Sequence, residues 1–162
     1  MRQNALHHVL WMFLLVLGVA SCGFTPVYAP GSKTGDALSD IVVAPPKNDQ
    51  ANYFFVRELE TRIGQNLNGG KVLEHDVWVY EKGADLEGAG RVQLIGKVTY
   101  KVISIEDKRF LFGGSVENFV GFSTDGLLSL LTTSERKDAT ERLMSILADQ
   151  VITELMGRLS DP

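Results

Sequence analysis

The side chain with the most distinctive chemistry is Cys22, the single cysteine in the chain. It follows Val19-Ala20-Ser21. A branched apolar residue, two small residues and a cysteine make the pattern of a bacterial lipobox. The small side chains let a peptidase reach the backbone after Ser21, and the Cys22 thiol then carries a diacylglycerol. Upstream, Arg2 supplies a positive start and residues 9–19 (VLWMFLLVLGV) an apolar run. That run is too short for the roughly 20 residues a membrane-spanning helix needs. It matches the core of a signal peptide. The expected organisation is a signal peptide over 1–21, a lipidated tether over 22–40 and one domain over 41–162. At about 0.8 kcal/mol per buried methylene, two or three acyl chains would anchor the protein firmly.

Other reactive residue types do not assemble into a site. Gly83, Gly88 and Gly90 lie in KGADLEGAGR without the Gly-Lys-Ser/Thr of a phosphate cradle, so this stretch reads as a strand-connecting loop. Glu106, Asp107 and Glu117 resemble paired carboxylates only in type, and acidic residues at a hairpin tip are ordinarily solvated. His75 has no nucleophile marked for it and reads as structural, while Trp78 and Tyr80, at strand spacing, read as packing residues. With no Cys/His cluster at ligand spacing, no metal or cofactor is expected. The chain is not expected to be an enzyme. A net charge of −4 argues against nucleic acid as the main partner.

The elements that must carry these residues can be read from periodicity. Ile41-Val42-Val43-Ala44, stopped by Pro45-Pro46, reads as a short edge strand. Asn48-Asp49 offer caps for a helix whose apolar positions are Phe55, Val56, Leu59, Ile63 and Leu67, ended by Asn68-Gly69-Gly70. Strands are expected over 72–80, 92–105 and 110–122. In the last two the even-numbered positions carry an apolar set: Val92, Leu94, Val98, Tyr100 and Val102, then Phe110, Phe112, Val116, Val120 and Phe122. Opposed side chains share a face, so paired numbers must sum to an even total. An odd loop around Glu106-Asp107-Lys108 then pairs Val92 with Phe122, Leu94 with Val120, Val98 with Val116, and Val102 with Phe112. Thr132-Thr133-Ser134-Glu135 fits a capping box for a closing helix over 134–159, striped by Met144, Leu147, Val151, Leu155 and Leu159. The expected fold is α+β, in the order β-α-β-β-β-α. Its four-stranded sheet is mainly antiparallel, with both helices on one face.

The stretch Cys22-Gly23-Phe24-Thr25-Pro26-Val27-Tyr28 resembles the mature start of the lipopolysaccharide-assembly lipoprotein (LptE) family in its alphaproteobacterial form. The Arg57 to Leu67 helix looks like the family's first helix. Tyr100-Lys101-Val102 falls where its central strands lie, and Asp138-Ala139 to Leu155 looks like its closing helix. The resemblance implies a non-catalytic outer-membrane lipoprotein, anchored on the periplasmic side. Such a protein plugs the barrel protein LptD, assists its assembly and binds lipopolysaccharide on its way to the cell surface. Gly23 after the lipidated cysteine fits release toward the outer membrane. A structural lipoprotein of another envelope complex, such as the barrel-assembly machinery, is the alternative.

Basic residues on the odd face of the third strand, Arg91, Lys97 and Lys101, are candidates for the glycolipid's phosphates. At about 3.3 Å per residue, Lys97 and Lys101 lie roughly 13 Å apart. The register sets Lys97 opposite Glu117, which favours Arg91 and Lys101.

Overall fold

The computed structural model describes residues 32–83, 91–123 and 129–160. The signal segment, Ser21, Cys22, the CGFTPVY stretch, Gly88 and Gly90 lie outside the described residues. The elements are α1 (Lys33–Ser39), β1 (Ile41–Val43), α2 (Gln50–Ile63), β2 (Lys71–Gly83), β3 (Arg91–Ser104), β4 (Phe110–Ser123) and α3 (Ser129–Ser160).

The end of the expected tether is folded. Ser32 caps α1 by accepting the Gly35 N–H at 3.0 Å, and Leu38 enters the core at 3% exposure. Asp40 then fastens the helix to the start of β2. Its carboxylate accepts the Gly70 N–H at 2.7 Å and the Lys71 ammonium at 2.5 Å. The hydrogen bond from Lys71 holds the Asp40 carboxyl below the usual carboxylate range.

The sheet order is β1-β2-β3-β4. β1 pairs with β2 in parallel, Ile41 opposite Lys71, whereas β2–β3 and β3–β4 are antiparallel. The sheet is therefore mixed, with one parallel pair at its edge. The cause is α2, a crossover that returns the chain so that β2 runs alongside β1. Asp49 caps α2 by accepting the Asn52 N–H at 2.8 Å. The helix stops at Gly64, whose φ of 84° lies in the left-handed region that glycine tolerates. It ends before Gly69-Gly70, and Leu67, expected on its apolar stripe, is 81% exposed.

The four β3–β4 pairings expected from parity are all present. Beyond Val102 the register shifts, and Ile103 faces Phe110. Leu111 is the extra residue of a bulge, and the shift by one transfers Phe110 from the expected core face to the other face, 61% exposed.

Val98, Val102, Val116 and Phe122 meet α2 and α3 through Phe55, Leu59, Leu147, Val151 and Leu155, all in one buried cluster, with Ile63 packed partly buried against it. Gly96 permits this contact, because a Cβ there would lie 2.8 Å from Leu147 and 2.9 Å from Leu143. α3 begins at Ser129, so Thr132 to Ser134 fall within its first turns and do not cap it. Leu130 and Leu131 ahead of the Thr-Thr-Ser run are good helix formers, and they carry the helix through it. α2 and α3 are clamped by Arg62, which bonds Asp149 at 2.5 Å, Glu58 at 2.7 Å and Ser145 at 2.8 Å, and by the Arg57–Glu141 pair.

Candidate functional site

With the three described helices on one face, the other face of the sheet is uncovered among the described residues. Register determines what stands on it. Odd-numbered residues of β3 and β4 face outward, and β2 contributes its even-numbered ones, because His75 lies opposite Tyr100. Trp78, Lys97 and Glu117 form one cross-strand row; Tyr80, Ile95 and Phe119 form the next. Trp78, Tyr80 and Phe119 are 68%, 52% and 58% exposed. Trp78 and Tyr80 are thus not packing residues, contrary to expectation. The signal was available in β2, where Leu73, Val77 and Val79 already supply a core-facing set of the opposite parity.

Toward β1 this face becomes charged. Lys101 Nζ lies 2.9 Å from the Glu74 carboxylate, and Lys47 pairs with Asp76. Ala44, Pro45 and Lys47 rise beside Asp76, Thr99 and Lys101 to bound a shallow depression of about 570 Å³. The structure places the three basic candidates as follows. Lys101, read as the freer cation, is held by a carboxylate. Lys97 does stand opposite Glu117, but it makes no ion pair among the described residues. Arg91 opens β3 opposite Ser123, at the far end of the same strand. Glu106 and Asp107 lie at the exposed hairpin tip, where Asp107 pairs with Arg109 at 3.2 Å, so the three carboxylates noted in the sequence form no dyad. No cluster of three metal-ligating side chains occurs among the described residues. No helix there is long and apolar enough to cross a membrane.

On the covered face, Tyr100 donates its hydroxyl to Glu154 at 2.6 Å, and burial followed by this carboxylate pushes its ionisation upward. Gly114 leaves room for the pair, since a Cβ there would sit 2.6 Å from the Glu154 oxygen. His75 is buried against Phe55, ring centroids 5.4 Å apart, and neither ring nitrogen has a hydrogen-bond partner. Burial depresses its pKa, outweighing Asp76 and Asp49, which favour the cation; Lys47 opposes it. A folded pKa below the unfolded one, about 6.5, makes the unfolded chain bind more protons as the pH falls. Stability is expected to be level above about pH 7 and to decline as the pH drops below about 6.5. His75→Leu should flatten urea-unfolding midpoints between pH 5 and 6.5; an unaltered slope would assign the decline to other groups.

The fold is that of a four-stranded sheet with helices on one side, and solved structures share it. A protein from Caulobacter crescentus CB15 described as a lipoprotein superposes with a TM-score of 0.69 at 14% identity, covering 80% of this chain and 97% of that one. Rare lipoprotein B from Shewanella oneidensis gives 0.54 at 11% identity, covering 72% and 92%. A minor lipoprotein from Acinetobacter baumannii gives 0.52 at 14% identity, covering 72% and 88%. No protein-family model and no curated protein matches the sequence. At these identities the likeness is one of fold: this chain has the fold of bacterial lipoproteins.

Proposed function

We propose that the protein is a lipid-anchored outer-membrane subunit of the lipopolysaccharide export translocon. Cys22 carries the acyl chains, and the folded domain plugs the LptD barrel and assists its assembly. The uncovered sheet face receives lipopolysaccharide during delivery to the cell surface. The observation that carries this reading is a conjunction. A lipobox ending at Cys22, followed by a family-like Gly-Phe-Thr-Pro-Val-Tyr, precedes a domain with the fold of bacterial lipoproteins.

The chemistry of the face fits an amphipathic anion. Tyr80, Ile95 and Phe119, with Trp78 beside them, offer a row for acyl chains, and Lys97 stands next to it for a phosphate. Lys101 is already neutralised by Glu74 and contributes less. Arg91, six residues before Lys97, would meet a second phosphate roughly 20 Å away. Trp78 is the single tryptophan once residues 1–21 are removed, so its fluorescence reports this face alone. Titration of the processed protein with purified lipopolysaccharide is expected to shift Trp78 emission. Lys97→Glu with Arg91→Glu should weaken binding about a hundredfold, about tenfold for each of two charge-assisted contacts, and Lys101→Glu should weaken it less. Unchanged affinity in the double variant, with the fold intact, would move the contact off this face.

A further inference from the structure

We infer that β4 is a docking edge, which takes an extended, basic strand of another protein by adding it to the sheet. This goes beyond the lipopolysaccharide reading and does not depend on it.

The two edges of the sheet are treated differently. β1 is three residues long and is followed by Pro45-Pro46, which cannot donate to a further strand. β4 runs for 14 residues, FLFGGSVENFVGFS, without a lysine, arginine or proline. Its one bulge lies at Leu111, near its start. Among the described residues no strand pairs with its outer side. A long edge without cations or proline is a template for another strand, and folded proteins ordinarily remove such a template.

A groove of about 440 Å³ follows this edge. It is lined by Ser115 and Glu117 from the uncovered face and by Asp149, Gln150, Thr153 and Glu154 of α3 from the covered side. Residues of both faces meet only at the edge itself, so the groove lies where an added strand would run. Its chemistry selects the occupant. Neither Glu117 nor Glu154 forms an ion pair among the described residues, although one Glu154 oxygen accepts the Tyr100 hydroxyl, and the buried Gln150 Oε1 has no hydrogen-bond partner. The groove presents acceptors and negative charge, which calls for a strand carrying Lys or Arg. A second copy of β4 offers only another Glu117 and no cation. Main-chain bonds would supply affinity, and a cation beside Glu117 would supply selectivity.

The test uses the processed protein in detergent with a short acetylated peptide alternating valine and lysine, and a matched peptide of valine and glutamate. Amide hydrogen exchange over residues 113–121 is expected to slow at least tenfold with the lysine peptide. N-methylation of alternate peptide residues should abolish binding in one phase, where the methyls face β4, and leave it within about twofold in the other. Glu117→Lys should reverse the preference between the lysine and glutamate peptides. Equal binding by both methylated forms would reduce the contact to charge alone and overturn the proposal. So would amides already protected without peptide, whether by a second copy in a concentration-dependent way or by the chain's own N-terminal segment.

Discussion

Val98→Asp is expected to unfold the domain, whereas its neighbour Thr99→Asp should leave it folded. Val98 is fully buried on the central strand β3, between Val77 and Val116, with the helices above it. A carboxylate there has no cation within its row, and burying it unpaired costs several kcal/mol even after its pKa adjusts. That is a large part of the about 5–15 kcal/mol by which domains are stable. Thr99 lies one residue on, between Asp76 and Ser115, on the uncovered face. Its replacement adds a like charge across from Asp76 in solvent, a cost of about 1 kcal/mol or less. Thermal melts followed by circular dichroism check both. Equal losses would mean that the second face is also covered.

Leu38→Ala is expected to destabilise the protein by about 2–4 kcal/mol, and Leu67→Ala by less than about 0.5 kcal/mol. The two leucines reverse the roles their sequence context suggests. Leu38 sits in a Gly-, Ser- and Asp-rich stretch, yet it is buried among the core residues as part of α1. Leu67 completes a helical stripe on paper, but α2 has already ended at Gly64. Urea-unfolding midpoints measure the difference. A soluble form of the protein must therefore retain Ser32 and α1; one beginning after Asp40 is expected to lose a comparable amount of stability. Equal midpoints for Leu38→Ala and the parent would return α1 to the tether.

These reversals show where a local pattern stops being informative. The β3–β4 register was legible because two strands with clean alternation leave only one parity that buries both apolar sets. The closing helix was legible from its stripe, though not its start, since Thr-Thr-Ser can sit inside a helix once neighbouring leucines favour it. The direction of β1 was not legible: three β-branched residues pair as readily in parallel as in antiparallel, and α2 decides. The candidate face was half legible. Its basic residues could be placed from parity in β3, but their partners could not, because Glu74 and Lys101 meet only through the β2–β3 register. Trp78 and Tyr80 were misread because aromatic residues on a strand are more often buried than displayed. Here the core-facing places in β2 were already taken.

The most direct test of the proposed role is affinity purification of the chain, expressed with residues 1–162, from detergent-solubilised membranes. One large β-barrel protein, LptD, is expected to co-purify in equal amounts, and the association to survive Glu106→Gln at the exposed hairpin tip but not Val98→Asp. Recovery of the chain alone, or with components of the barrel-assembly machinery in place of that barrel, would contradict the proposed role.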